Sequence, residues 1–460
     1  MACDRPWVNT LRVGATGRRS TENFHTLNRP SGARWSVLLC WPRRGTRAAA
    51  CSGSLSIAHN PVPRSPNTES LLLDVLALTL SEKPVGTDHS LRNLALPLKA
   101  MNIHVTLAGP PDTALQQWWT KAGLWYLPLE MAPRSGFRPS GKSGYLPVRQ
   151  IAGQVPRTAA SVRAIGRAAR DFDVIHSNWL FSHIDAAIAG RLTRTPVVLE
   201  LHDLVPEGPG RHAVSAAVST ATHSVAVSRA VKRQLTSTAQ RRTSVIHQGV
   251  DGDRFHPSPS HDHDVRQLLS DGNPTRFLCA VIGRQDPNKG LHTAIEAVAQ
   301  LRHADLDVHL ALVGAPGEDS GDYQQQMRQL AQQRLGSAHT FLDHVTDVSR
   351  LLNSVDAVLV PSVDEPFGLI ALEAQATGCP VIASDSGGLP EFVRHDETGL
   401  IARTDDADSF ANALRILVTN RPVAERLSNN ARAATEKTYR IQQRADAFAL
   451  LYQKAVKGSQ

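Results

Sequence analysis

The run Ala357-Val358-Leu359-Val360-Pro361-Ser362, followed at once by Asp364-Glu365-Pro366-Phe367-Gly368-Leu369-Ile370-Ala371-Leu372-Glu373, leaves few folds open to this chain. The first run is short and apolar, the pattern of a strand buried on both faces of a parallel sheet. The second opens as a loop and places Pro366 where a helix start tolerates a missing N–H. It then runs to Gly378 at a helix stop position. Strand, tight loop and helix in that order put unpaired backbone N–H groups at the carboxyl end of a sheet. Such an end attracts phosphate through its donors and through the helix dipole.

Two carboxylates mark the same stretch. Glu365 lies in the loop, and Glu373 lies in a helix made apolar nearly all round by Leu369, Ile370, Leu372, Ala374 and Ala376. Helical side chains lean toward the N-terminus, so Glu373 leans toward the crevice that Glu365 borders. A carboxylate in so apolar a helix is costly without a partner. Taken alone, two glutamates at this spacing read as a cap and a salt bridge. The strand, the loop and the Pro-Phe-Gly start point to a ligand site instead.

The stretch resembles the E-x7-E signature of retaining glycosyltransferases of the GT-B fold, family 4, the glycosyltransferase group 1 type. Pro380–Glu391 fits the same pattern. The resemblance implies an α/β protein with two Rossmann-like domains facing across a cleft and a C-terminal helix crossing back to the first. It implies that Glu365 contacts the transferred sugar, that Glu373 holds the ribose hydroxyls, and that the backbone at Phe367, Gly368 and Leu369 holds a diphosphate. The family's G-R-x-x-x-x-K-G loop aligns with Gly283, Arg284, Lys289 and Gly290. Two cations on one loop suit a diphosphate leaving group, whose charge grows as the glycosidic bond breaks. His202, in Glu200-Leu201-His202-Asp203 at a strand end, falls where the family places a His beside the sugar. A purely structural His is the other reading. Gly86, in Val85-Gly86-Thr87-Asp88, is what remains here of the family's Gly-Gly loop. Gly387 and Gly388 allow close backbone approach beside the diphosphate, and Glu391 reads as a structural cap. Asp343 replaces the usual Gly where the family presents backbone to the base.

Charge does not suggest a nucleic-acid partner. The formal excess is +8, and residues 1–67 carry ten arginines against Asp4 and Glu22, which accounts for all of it. The rest of the chain is balanced and has no field to steer it to nucleic acid. The basic segment lacks periodicity and is expected to be disordered and without catalytic role. It resembles a transit peptide, or translation upstream of the true start. Cys279 and Cys379 sit in apolar contexts and read as reduced core residues. His261-Asp262-His263-Asp264 reads as a solvated loop rather than a metal site. No apolar run is long enough to cross a bilayer.

From Leu71 onward strands and helices alternate, as in parallel sheets. Four segments are expected: 1–67 basic, 68–250 an acceptor domain, 251–440 a nucleotide-sugar domain, and 441–460 a crossing helix. The join is His247–Pro257, which resembles the family's N-G-V-D-x-x-x-F-x-P. Asp88 is placed to cap a helix over Ser90–Met101, Pro133–Tyr145 reads as a mobile loop, and Trp118, Trp119, Trp125 and Tyr126 could stack on a sugar. The chain is expected to move sugar from a UDP- or GDP-linked donor to an unidentified glycan, lipid or small molecule. It is expected to do so with retention and with no metal or cofactor. The expected place is the cytoplasm, with peripheral contact at the inner membrane face left open. A nucleotide-sugar epimerase, a phosphorylase and a non-catalytic sugar-binding protein are the competing readings. The Asp-x-Asp pairs Asp171/Asp173 and Asp305/Asp307 precede strands, against a metal-dependent GT-A enzyme. A missing G-x-G-x-x-G argues against NAD.

Overall fold

A computed structural model describes residues 72–131, 148–258, 262–317, 321–343, 345 and 347–458. The basic segment 1–67, the loop Pro133–Tyr145, His261 and His344 lie outside them.

The first half carries seven strands: β1 (Leu73–Leu78), β2 (Ile103–Gly109), β3 (Trp125–Pro128), β4 (Val174–Ser177), β5 (Val197–Leu201), β6 (His223–Ala226) and β7 (Thr243–Val245). Their order is β3-β2-β1-β4-β5-β6-β7, and every pairing is parallel. The second half carries β8 (Phe277–Ile282), β9 (Val308–Val313), β10 (His339–Leu342), β11 (Ala357–Val360), β12 (Val381–Ser384) and β13 (Leu400–Ala402). Their order is β10-β9-β8-β11-β12-β13, again wholly parallel. Both sheets therefore reverse direction of growth once, between β1 and β4 and between β8 and β11. In open parallel sheets that reversal leaves a crevice beyond the strand ends where ligands bind. The doubly wound pair of sheets is the GT-B fold.

The strands are the near-continuous apolar runs of a sheet covered on both faces, and β9, β11 and β12 are buried throughout. Cys279 and Cys379 are buried free thiols. The final helix, Ile441–Lys457, lies against the helix Gly86–Ala100 of the first half, burying Ala445, Phe448 and Tyr452 with Leu91, Leu94 and Leu98. The chain passes between halves twice, at Val250 and Arg440. The passages bond to each other, Val250 N–H to Tyr439 O at 2.8 Å and Ile441 N–H to Val250 O at 2.9 Å.

Several local expectations need correction. The first helix starts at Gly86, not Ser90, with extended Val85 as its cap. Asp88 closes it from inside, accepting Val85 N–H at 3.1 Å, a reach back from the third helical position that a cap at the loop would not need. The helix after β11 starts at Leu369, so Pro366 lies ahead of it; Gly368, at φ 97°, makes the entry turn. Ser386–Glu391 follows β12, and β13 comes after it. It also forms only a single 3-10 turn at Leu389–Glu391, not a longer helix. Trp119 is fully buried while Trp125 is 55 % exposed, so the aromatics form no single platform. Among the described residues no helix is long and apolar enough to cross a membrane.

Candidate active site

Three loops converge beyond the second sheet. The loop after β8 is held to the loop after β11 by Val363 N–H donating to Asn288 O at 2.8 Å. Gly290, at φ 64°, is needed for that contact: a Cβ there would stand 2.1 Å from Pro361 O. The loop after β12 joins them through Gly388 N–H to Glu365 O at 2.8 Å and Asp364 N–H to Ser386 Oγ at 2.8 Å. Gly387, at φ 58°, has no room for a Cβ, which would lie 1.9 Å from Glu365 O. The Gly-Gly pair therefore presses against the Glu365 backbone, and the Gly388 N–H is already used there.

This zipping brings Lys289 and Glu365 together, Nζ to Oε2 at 2.7 Å with side chains 25 % and 11 % exposed. Arg284 stands more open, 58 % exposed, and its Nη2 lies 2.9 Å from Asp286 Oδ2. Leu369 and Ile370 open the next helix, where the first N–H groups have no partner within the helix. Phe367 contributes backbone only; its ring is buried and stacks on Phe392 at 4.8 Å. Glu373 is half-buried and makes no hydrogen bond or ion pair with a described residue. Burial pushes its carboxyl up to about 7, against the pull of Arg254. A carboxylate buried without a partner is costly, which sets Glu373 apart from the other described glutamates of the second half.

The first half presents a different wall. His202 is nearly buried, with Nε2 3.4 Å from Glu200 Oε1 and Nδ1 3.3 Å from Gln248 Nε2. Both ring nitrogens thus face protein partners. Gly86 opens its helix with nothing within 4 Å of an added Cβ, so neither crowding nor a positive φ requires a glycine there. Asp88 accepts from Thr79 Oγ1 at 3.1 Å, and burial raises its carboxyl to about 6.

Glu391 reaches across to the first half. It accepts Arg229 N–H and Ala230 N–H, both at 2.9 Å, and sits 2.9 Å from His247 Nε2. It does cap a helix, though not its own: that of Arg229–Arg233 in the other half. Asp343 is turned to Arg328 at 2.9 Å, outside any shared contact with the three loops. Asp262 caps its own helix at Val265 and pairs with Arg350, so it is occupied as a structural group. Among the described residues no cluster of three or more His, Cys, Asp or Glu is arranged to hold a metal ion.

Residues 266–434 match the family Glycosyl transferases group 1, and residues 86–254 match Glycosyltransferase Family 4. The D-inositol 3-phosphate glycosyltransferase 1 of Catenulispora acidiphila is 31% identical over 303 residues, 59% of this chain and 70% of that protein. The chain belongs to the group 1, family 4 glycosyltransferases. A glycogen synthase of Mycobacterium tuberculosis is 30% identical over 307 residues, 62% of this chain and 70% of the relative. The match to the D-inositol 3-phosphate glycosyltransferase of Mycobacterium marinum, 33% over 220 residues, spans 47% of this chain and only 46% of that relative. An Anabaena protein, HepE, crystallised with UDP and glucose, superposes with a TM-score of 0.70 at 25% identity, over 83% of this chain and 100% of its own.

Four residues that the sequence had not singled out complete the two walls: Glu200, Gln248, Arg254 and Arg444. Glu200 carried a signal, a charge inside the apolar run Val197–Leu201, since a buried charge demands a partner; Arg444, in Gln442-Gln443-Arg444-Ala445-Asp446, carried none. Gln248 and Arg254 carried none.

Proposed function

We propose that this glycosyltransferase moves a hexose from a UDP-linked donor to an acceptor hydroxyl, with retention at the anomeric carbon and without a metal. The observation that carries the reading is the Lys289–Glu365 pair in the loops ahead of the helix Leu369–Ala376, with Glu373 inside that helix unpaired among the described residues. On this reading the diphosphate lies against Arg284, Lys289 and the N–H groups at Leu369 and Ile370. These donors stabilise charge that grows as the sugar–phosphate bond breaks, and they act without first having to reorganise. Glu373 takes the ribose hydroxyls. Glu365 borders the sugar ring, whose positive character grows in the same step. Lys289 holds Glu365 in place until donor arrives, then turns its charge to the phosphate. Retention requires the acceptor oxygen to arrive on the face that the diphosphate leaves, and that oxygen's proton passes to the departing phosphate oxygen. HepE, which binds UDP and glucose, supports uridine over guanosine.

Thermal-shift measurement against UDP-, GDP- and ADP-glucose tests the donor, because a ligand bound to the native state alone raises apparent stability. UDP-glucose should give the largest shift. Proton NMR of the product should show an axial linkage from an axial donor, unchanged by EDTA. An equatorial product would overturn retention, and loss of turnover in EDTA would overturn metal independence. Conversion of donor to its epimer with no acceptor would favour an epimerase. Phosphate-dependent release of sugar phosphate would favour a phosphorylase.

A further inference from the structure

The last helix of the chain reaches the wall that carries His202. Arg444 and Glu200 are 2 % and 0 % exposed, with Nη2 2.5 Å from Oε1, and Arg444 Nη1 also donates to Ser90 O at 3.0 Å. Glu200 Oε2 lies 3.2 Å from His176 Nε2, and His176 Nδ1 lies 2.5 Å from Tyr452 Oη. Ser90 Oγ donates to Gln248 Oε1 at 2.6 Å. These contacts fix the protons one after another. Because Gln248 Oε1 receives the Ser90 hydroxyl, its other end, an NH2 that can only donate, faces His202 Nδ1. His202 Nδ1 must accept, so its proton sits on Nε2, toward Glu200. Burial beside Glu200 holds the Tyr452 phenol well above its ordinary range, so it keeps its proton and donates to His176 Nδ1. The His176 proton then also faces Glu200. The cluster holds one carboxylate, one guanidinium and two imidazoles whose Nε2 atoms stand at ion-pair distance from Glu200, 3.2 and 3.4 Å, without hydrogen-bond geometry.

We infer that Glu200, Gln248 and Arg444 are positioning residues that hold His202 as a neutral imidazole with its proton on Nε2, making the C-terminal helix part of the active site. This rests on the reading that His202 borders the transferred sugar. A neutral ring there adds no positive charge beside a sugar that is itself becoming positive. Without Arg444, the buried Glu200 carboxylate is left uncompensated and draws a second proton onto His202. The other titratable groups that act on His202 are Asp88 and His183. Asp88 is already satisfied by Val85 N–H and Thr79 Oγ1. Burial depresses His183 to about 3, and its Nδ1 lies 2.8 Å from Ser177 Oγ, so it is neutral.

The test is nitrogen NMR of full-length protein labelled at histidine, with the His202 signal assigned by its loss in His202→Gln. At pH near 7.5 the wild type should show one bare nitrogen, Nδ1, and one protonated nitrogen, Nε2. Arg444→Met should protonate both and lower kcat by about tenfold or more, with donor KM changed by less than about twofold. Arg444→Lys should restore both. Should Arg444→Met not fold, Gln248→Leu breaks the Nδ1 contact while sparing the charge pair, and should mix the two tautomers and lower kcat. A wild-type His202 already protonated on both nitrogens would overturn the proposal. So would a folded Arg444→Met with wild-type tautomer and kcat. A protein that turns over no nucleotide sugar would remove the functional reading, yet the NMR result would still decide the network.

Discussion

The two halves share one topology and treat their polar groups in opposite ways. Beyond the second sheet, main-chain bonds and left-handed glycines do the structural work, through Val363, Gly290, Gly387 and Gly388. Among the described residues the charged side chains are left largely to themselves: Arg284 is exposed beside Asp286, Glu373 is unpartnered, and Lys289 and Glu365 pair only with each other. Beyond the first sheet, side chains do the structural work. Glu200, His176, His202, Gln248 and Arg444 face one another inside the protein, at hydrogen-bond or ion-pair distance. Backbone scaffolding frees side chains for a ligand, whereas side-chain scaffolding turns them inward. On the proposed reading, the second half holds the charged donor and the first shapes what faces it.

The sharpest way to break this contrast is Glu365→Gln. It should lower kcat by about 10²- to 10³-fold, with donor KM within about threefold, because its charge matters most as the ring turns positive. Steady-state kinetics with varied donor would check it; a change in KM alone would move Glu365 off the sugar.

Glycines give the next test. Gly387→Ala forces a Cβ to 1.9 Å from Glu365 O at φ 58°, and should cost about 2–4 kcal/mol in urea unfolding, with turnover lost in parallel. Gly86→Ala, with open space around it, should be neutral or gain up to about 1 kcal/mol. Equal costs at the two positions would dissolve the distinction between the halves.

Lys289→Ala and Arg284→Ala should each reduce kcat/KM, by roughly 10- to 100-fold, with Lys289 the larger because Glu365 loses its partner too. Wild-type turnover in both would remove the diphosphate from this loop.

Glu373→Gln should act mainly on binding, raising donor KM about tenfold, since a ribose contact changes little between ground and transition state. It should also change the pH dependence of stability. The folded carboxyl titrates near 7 against 4.5 for the free group, so the native state holds its proton longer than the unfolded chain does. Wild-type stability therefore falls as pH rises from about 4.5 to about 7, and the Gln variant escapes that loss. Melting curves should coincide near pH 4, and the variant should melt higher near pH 8. A variant that melts lower at both would make Glu373 an ordinary structural partner.

The second half was largely legible in the sequence. The bounds of β9 and β11 follow from short apolar runs bounded by turn residues, and the motifs place Arg284, Lys289 and Glu365 in loops after strands and Glu373 within the helix Leu369–Ala376. The entry turn at Gly368 was not, because a proline near a helix start is a stronger local signal than a glycine whose need shows only once Leu389, 2.4 Å from where a Cβ would stand, is packed behind it. β13 escaped notice because three residues carry too little pattern. In the first half the strands were readable and the site was not. Partners separated by 244 residues, such as Glu200 and Arg444, leave no mark on local periodicity. His202 could be placed at a strand end, yet the direction of its nitrogens depended on Gln248 and Glu200, which only the fold brings near.

The final helix also sets a timetable for synthesis. The face of the first sheet's helix layer that Phe448 and Tyr452 cover is finished as soon as β7 is made, but its cover is encoded at the far end of the chain. At ribosomal speeds the interval from Val245 to Ile441 is on the order of 10–40 s. Through that interval the second sheet can fold while the nascent first half keeps an apolar seam open and lacks the guanidinium that compensates Glu200. Messages that stall or truncate ahead of residue 441 would therefore release a chain with its donor side formed and its other side adhesive, the kind of species that chaperones capture.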